Sequence, residues 1–171
     1  MFVCPYCGAE NIEGDDVCLE CTQTLTEMSV RVPGSSLEAD LVRDRIDMLP
    51  PHSPLTVSPK DTVGAVLATM VDSRIGCVLV VEQGKMVGIF TERDALLRLN
   101  SNAAKLFDNP ISAYMTPNPE TIPARSKIAF ALHKMDLGGY RHLPVLDGDK
   151  PVGVISIRDI LAYLTSRIAA G

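Results

Sequence analysis

The 171-residue sequence has no tryptophan, and phenylalanine and tyrosine number four each. Any core must therefore be aliphatic, assembled from Val, Ile, Leu and Met. No uninterrupted apolar run is longer than Cys77–Val81, far short of the ~20 residues that a membrane-spanning helix needs. The opening Met-Phe-Val-Cys-Pro has neither the basic region nor the apolar stretch of a secretory leader, so a cytoplasmic setting is expected. Clustered thiols in that setting more often bind metal than pair. Lysine and arginine are missing from residues 1–30, which carry Glu10, Glu13, Asp15, Asp16, Glu20 and Glu27. The other residues hold all 16 basic side chains against 15 of the 21 acidic ones, so the formal excess of −5 sits at this end. Such a segment repels phosphate backbones, which argues against a nucleic-acid-associated regulator.

Four of the five cysteines lie within residues 1–25, as Cys4-x-x-Cys7, ten intervening residues, then Cys18-x-x-Cys21. Paired knuckles of this spacing place four thiolates at the corners of a tetrahedron, about 2.3 Å from a zinc ion. Gly8 suits the left-handed turn that aims backbone amides at the sulfurs. A segment this short has too little core to fold unaided, so metal would fold it. Four thiolates also leave no open position, so the zinc is structural, not catalytic. The stretch resembles the short zinc ribbons of bacterial and archaeal proteins, with Thr22 standing where the second knuckle usually has glycine.

Residues 26–35 read as a linker ending Pro33-Gly34-Ser35. Ser35-Ser36-Leu37-Glu38 is a capping box that opens a helix; Leu37, Leu41, Ile46 and Leu49 give it an apolar stripe, and Pro50-Pro51 ends it. Beyond this point the chain repeats. A shift of 65 positions lays residues 54–99 on 119–164 without a gap, matching Pro54, Thr56, Leu67, Met70, Val80, Lys85, Val87, Gly88, Arg93, Asp94, Leu96 and Leu99 to identical residues. Each copy reads β-α-β-β-α: a short strand, a helix capped by Asp61 or Ser126, a hairpin, and a second helix opened by Thr91 or Ser156. The hairpins turn at Gln83-Gly84-Lys85 and Gly148-Asp149-Lys150. The division expected is a zinc ribbon at 1–25, a linker and connecting helix at 26–49, and repeats at 50–105 and 106–171.

The chemistry-bearing motif of the repeat is Gly88-x-x-Thr91-x-Arg93-Asp94, echoed as Gly153-x-x-Ser156-x-Arg158-Asp159. A helix begins there with unpaired amides and the positive end of its dipole, which suits an anion, and the Thr or Ser hydroxyl adds a hydrogen bond. A carboxylate three residues on can accept both hydroxyls of a ribose, and Arg93 or Arg158 can balance phosphate charge. Hydroxyl and acid at this spacing also form a capping box, which stabilises a helix whether or not anything binds.

The doubled motif in this element order resembles a tandem pair of CBS domains, a Bateman module, over about residues 50–168. The resemblance implies an α/β (α+β) fold in which two β-α-β-β-α repeats pack by their sheets about a pseudo-twofold axis, leaving two clefts for AMP, ADP, ATP or S-adenosylmethionine. It implies that Asp94 and Asp159 hold ribose and Thr91 and Ser156 hold phosphate. It further implies that Thr56-Val57 and Thr121-Ile122 flank adenine, and that Arg141 or His142 reaches a phosphate. The matching first-copy stretch, Ile75-Gly76-Cys77-Val78-Leu79, lacks that polarity, so the clefts differ. Cys77 opens an apolar strand and reads as a buried, inert thiol. No nucleophile–base pair and no open metal site are visible, so an enzyme is not expected. The reading is a regulatory sensor of an adenosyl ligand that pairs as a homodimer, with the ribbon as a site for a protein partner. The competing reading is an adaptor with no ligand.

Overall fold

The computed structural model describes residues 2–4, 6–12, 16–25, 35–49, 53–148 and 150–169. Residues 26–34 of the linker expected at 26–35, the helix stop at Pro50-Pro51 and Asp149 of the second hairpin turn lie outside them. The chain divides into two compact units: Met1–His52 with Thr121–Asp147 and Val154–Gly171, and Ser53–Glu120 with Gly148–Gly153.

The unit centred on the first repeat carries a four-stranded sheet in the order β3-β4-β5-β6. Its elements are β3 (Thr56–Val57), α2 (Val63–Asp72), β4 (Cys77–Glu82), β5 (Lys85–Thr91), the short helices α3 (Glu92–Asp94) and α4 (Ala103–Leu106), and β6 (Thr116–Pro117). Strand β3 runs parallel to β4, while β4–β5 and β5–β6 are antiparallel. The β4–β5 hairpin closes through Gln83 and Gly84, both at positive φ (50° and 79°). Two left-handed residues in succession match the twist of the flanking strands. Val78, Leu79 and Val80 are buried in succession, so β4 is covered on both faces. Val63, Val66 and Met70 of α2 close over it with Phe90, Leu99 and Ile111.

Thr62, not Asp61, caps α2: its side chain accepts the Ala65 N–H at 3.3 Å. Asp61 is taken one residue earlier, accepting the Ser58 N–H at 2.8 Å. After β5 the chain departs from the regular helix that its repeat partner forms. Residues Glu92–Asp94 pass into a π-helical turn, Ala95–Leu99, which stops at Asn100 (φ 48°).

The other unit holds β1 (Phe2–Val3), β2 (Glu10–Asn11), α1 (Ser36–Arg43), β7 (Ile122–Pro123), α5 (Ile128–Gly138), β8 (His142–Asp147), the end of β9 (Lys150–Ser156) from Val154 on, and α6 (Ile157–Ala169). Strands β1 and β2 pair antiparallel, and a second sheet runs β7-β8-β9, with β7 parallel to β8. Gly139 ends α5 in the left-handed conformation (φ 63°), as helix C-termini favour. Ser126 is not the cap of α5: Lys127 takes that position without a side-chain bond, while Ser126 is buried and its carbonyl accepts the Ile46 N–H at 2.9 Å.

Helix α1 opens as its sequence dictates, with Ser35 Oγ accepting the Glu38 N–H at 3.2 Å. It stops at Arg43, well short of Leu49. Asp44 turns extended (φ −81°, ψ 147°), and its carbonyl accepts the Ile128 N–H at 3.0 Å. Tertiary hydrogen bonds to α5 thus override the apolar period.

The ribbon has no core of its own. The four cysteines and Leu25 belong to one apolar cluster with Ile122, Phe130, Leu143 and Ile160. The Tyr6 ring packs 5.6 Å from that of Phe130, and the Lys127 N–H donates to the Tyr6 carbonyl at 2.9 Å. A fragment too small to bury its own apolar side uses the start of α5 instead.

Candidate functional site

The two knuckles share one backbone pattern. The Cys4 N–H donates to the Ala9 carbonyl and the Gly8 N–H to the Cys4 carbonyl (2.8 and 2.9 Å). Likewise the Cys18 N–H donates to Gln23 and the Thr22 N–H to Cys18, both at 2.8 Å. Gly8 and Thr22 are therefore equivalent, and both are left-handed (φ 79° and 58°). Buried Asn11 joins the knuckles, donating to the Ala9 carbonyl at 2.9 Å and accepting the Leu19 N–H at 3.3 Å.

The four buried sulfurs lie within 4.8 Å of one another. Cys4–Cys21 and Cys7–Cys18 approach to 3.7 and 3.6 Å, close to the edge of about 3.8 Å of a tetrahedron with 2.3 Å metal–sulfur bonds. Burial pushes the Cys7 thiol up to about 11 and raises Cys21 further. At Cys18 burial is outweighed by the amides of Cys21 and Glu20 and by the neighbouring thiols, and the value falls to about 7. A buried set of this kind, with amides aimed at sulfur, fits a thiophilic cation and is compatible with a zinc ribbon.

Each helix start of the repeat closes in the same way. The Glu92 N–H donates to the Gly76 carbonyl and, 65 positions on, the Ile157 N–H to that of Arg141, both at 3.0 Å. In the first copy Asp94 Oδ2 accepts the Thr91 N–H and hydroxyl (3.0 and 2.6 Å), while Thr91 Oγ1 accepts the Asp94 N–H at 3.2 Å. In the second, Asp159 Oδ2 accepts the Ser156 N–H and hydroxyl, both at 2.7 Å. The sequence thus brings hydroxyl and acid together at both turns, in each case as a capping box.

The remaining predicted residues fall as follows. Arg93, Arg158, Arg141 and Thr56 are exposed, and His142 is half-buried at the start of β8. Val57 and Ile122 are buried. The Thr121 carbonyl accepts Lys134 Nζ at 2.8 Å. Two residues that sequence reasoning missed complete the first turn: Asp94 Oδ1 accepts the Thr116 hydroxyl at 3.0 Å and pairs with Arg98 at 3.3 Å. Arg98 stands four residues after Asp94, an ordinary helical ion-pair spacing that could have been noticed; Thr116 carries no local signal.

Two strand–helix–hairpin–helix repeats, each with a hydroxyl–acid turn, define a tandem-repeat α/β architecture. The sequence model of the CBS domain matches residues 42–101 and 111–166. The chain belongs to the CBS-domain family. The CBS domain-containing protein CBSCBSPB1 of Arabidopsis thaliana is 35% identical over 115 residues, covering 67% of this chain and 21% of that protein. The chain thus spans about a fifth of the length of such plant relatives. Among solved structures, a CBS-domain protein of Agrobacterium tumefaciens is 31% identical with a TM-score of 0.61, covering 64% of this chain and 88% of that one. A CBS-domain protein of Pyrobaculum aerophilum, complexed with AMP, is 26% identical with a TM-score of 0.62, covering 72% and 99%. Among the described residues no helix is long and apolar enough to cross a membrane.

Proposed function

We propose that this chain is a non-catalytic regulatory module that senses an adenosyl ligand through its CBS repeats and holds a structural zinc ion in Cys4, Cys7, Cys18 and Cys21. The observation that carries the reading is the hydroxyl–acid turn at each repeat's second helix, in a family with a member solved with AMP. Ribose hydroxyls would meet Asp94 and Asp159, and phosphate would meet Thr91, Ser156 and the exposed Arg93, Arg158 and Arg141. His142, Thr56-Val57 and Thr121-Ile122 remain the candidates for further contact. The organisation proposed is ribbon, linker helix and two repeats at 1–25, 26–49, 50–105 and 106–171.

Leu96 and Leu161, at matched repeat positions, are 77% and 54% exposed. An exposed leucine at the matched position of each repeat is consistent with the proposed homodimer through repeat helices. The acidic ribbon is proposed as the docking point for a protein partner in the cytoplasm.

The adaptor reading has one observation in its favour: both acids already serve as helix caps. A thermal-shift panel of AMP, ADP, ATP and S-adenosylmethionine separates the two. Ligand at a hundredfold excess over its dissociation constant stabilises by about 2.7 kcal/mol, a rise of roughly 5–10 °C for a protein this size. A melting temperature unmoved at millimolar ligand leaves the adaptor.

A further inference from the structure

The 65-residue register extends upstream of both repeats. The Ile128 N–H donates to the Asp44 carbonyl at 3.0 Å, and the Ile46 N–H to the Ser126 carbonyl at 2.9 Å. In the other unit the Val63 N–H donates to the Asn109 carbonyl at 2.9 Å, and the Ile111 N–H to that of Asp61 at 2.8 Å. Residues 44–46 and 109–111 are thus equivalent arms, each docked on the start of a repeat's first helix. The side chain at the first position of the arm differs. Asn109 Nδ2 donates to the Tyr114 hydroxyl five residues on, at 2.7 Å, whereas Asp44 is a buried carboxylate that reaches α6.

Asp44 Oδ2 accepts the Tyr163 hydroxyl at 2.8 Å and Arg167 Nη2 at 2.6 Å. Tyr163 and Arg167 stand four and eight residues after Asp159, so the proposed ribose acid, the hydroxyl and the guanidinium share one stripe of α6. The same arm meets the ribbon at one point. Lys127 Nζ donates to the Arg43 carbonyl at 2.8 Å, the Lys127 N–H donates to the Tyr6 carbonyl at 2.9 Å, and the next N–H, that of Ile128, is the one held by Asp44. Tyr6 lies between Cys4 and Cys7, and all four cysteines share an apolar cluster with Ile128 and with Ile160 of α6.

We propose that the ribbon is a second input to the sensor: by holding its metal it raises the affinity of the Ser156–Asp159 turn for an adenosyl ligand, and Asp44 is the positioning residue that carries the effect. This inference rests on the sensor reading above. A ribbon too short to fold unaided supplies the element with two states. Loaded, it fixes Tyr6 against Lys127 and Phe130 and so keeps the start of α5 on the Asp44 arm. The carboxylate of that arm then holds the stripe of α6 on which Asp159 stands. Emptied, the ribbon gives up the Lys127 contact, and a ligand must order α6 itself, at the expense of its affinity. Linkage makes the effect reciprocal, so ligand at the turn tightens the ribbon's hold on the metal by the same factor.

The test uses the full chain loaded with zinc. Calorimetric titration of AMP should show, for at least one site, an affinity about fivefold or more above that of the same chain stripped by a chelator. Chelator competition reads the coupling from the other side: saturating AMP should make zinc about fivefold harder to remove. Asp44→Asn should keep both binding events while the factor drops below about twofold, because the neutral amide holds Tyr163 and Arg167 less strongly. Tyr163→Phe, which leaves the buried charge paired with Arg167, is the second variant and should at least halve the factor. Equal AMP affinity with and without zinc, or a factor unchanged in both variants, would overturn the inference while the sensor reading stands. No AMP binding by the loaded wild type would overturn both.

Discussion

The Tyr163 hydroxyl donates to the buried carboxylate of Asp44 at 2.8 Å, joining residues 119 positions apart. Arg167 Nη2 reaches the same oxygen at 2.6 Å, and Arg43 Nε reaches the other at 2.9 Å. This cluster fastens the segment after α1 to α6. Burial alone would raise the Asp44 carboxyl, but the bonds from Tyr163 and Arg43 and the charges of Arg43 and Arg167 outweigh it and hold it below the ordinary value.

Because Asp44 is more acidic folded than unfolded, its stabilisation is complete above the unfolded pKa of about 3.9. It is lost as pH falls through the lower folded value. Asp44→Asn should therefore flatten the acid limb of stability against pH. Asp44→Ala should cost about 2 kcal/mol at neutral pH by removing charged hydrogen bonds, since Arg43 and Arg167 stay partly solvated, and Tyr163→Phe about 1 kcal/mol. Urea denaturation across pH 2–7 measures all three. An acid limb identical in wild type and Asp44→Asn would count against this account.

Zinc should be present at one equivalent per chain by elemental analysis. Since the ribbon shares its core with α5, removing the metal with a chelator should also expose the start of that helix. Amide exchange around Ile128–Phe130 should accelerate along with that of the ribbon, while β4 and β5 keep their protection. Tyr6→Ala, which removes the ring against Phe130, should loosen the same amides with the zinc retained. Unchanged exchange in α5 after metal loss would show that the two are uncoupled.

Thr22 is β-branched and left-handed (φ 58°) at the position equivalent to Gly8. Such a conformation costs about 1–3 kcal/mol, so Thr22→Gly should make the ribbon harder to strip of metal. Competition with a chromogenic chelator reads this directly, and Gly8→Ala should shift the curve the opposite way. Equal or weaker retention in Thr22→Gly would mean that the Thr22 hydroxyl, which donates to the Cys21 carbonyl at 2.7 Å, offsets the strain.

The glycine of the first motif has a packing reason independent of any ligand. A Cβ on Gly88 would lie 2.5 Å from Met115 Sδ and 3.0 Å from the Thr116 carbonyl. Gly88→Ala should push β6 off β5 and destabilise by about 1–3 kcal/mol. A urea midpoint equal to wild type would show that the edge strand yields freely.

The repeat, the hairpins and the cysteine cluster were readable because each is a local pattern: a 65-residue register, two short apolar runs about a tight turn, and a knuckle spacing. Hydroxyl and acid three apart also announce their own contact. What could not be read depends on distant partners. Thr116 meets Asp94 from 22 residues away, and Asp44 leaves the helical path because its oxygens accept from Ile128, Tyr163 and Arg167. The apolar period of residues 37–49 spans two conformations: Leu37 and Leu41 are half-buried on the helix, while Ile46 and Leu49 are buried beyond its end. The shared core was hidden for a related reason, since Tyr6 and Phe130 look like ordinary aromatics until the fold brings them together.

The arrangement of the first unit from residues 1–52 and from two later segments, 121–147 and 154–171, has a consequence for how the protein is made. On the ribosome, residues 53–120 emerge with nearly all their own partners and can fold as they appear, whereas the ribbon must wait for α5. Its thiols stay solvent-facing through the synthesis of a hundred residues or so, a window in which metal capture competes with oxidation and with stray association. Closing the unit then requires contacts of very long sequence separation, the slow kind. Loading an ion early would shrink the loop of disorder to be closed and hand α5 a preformed surface to land on, and metal supply would then bear on the yield of folded chain.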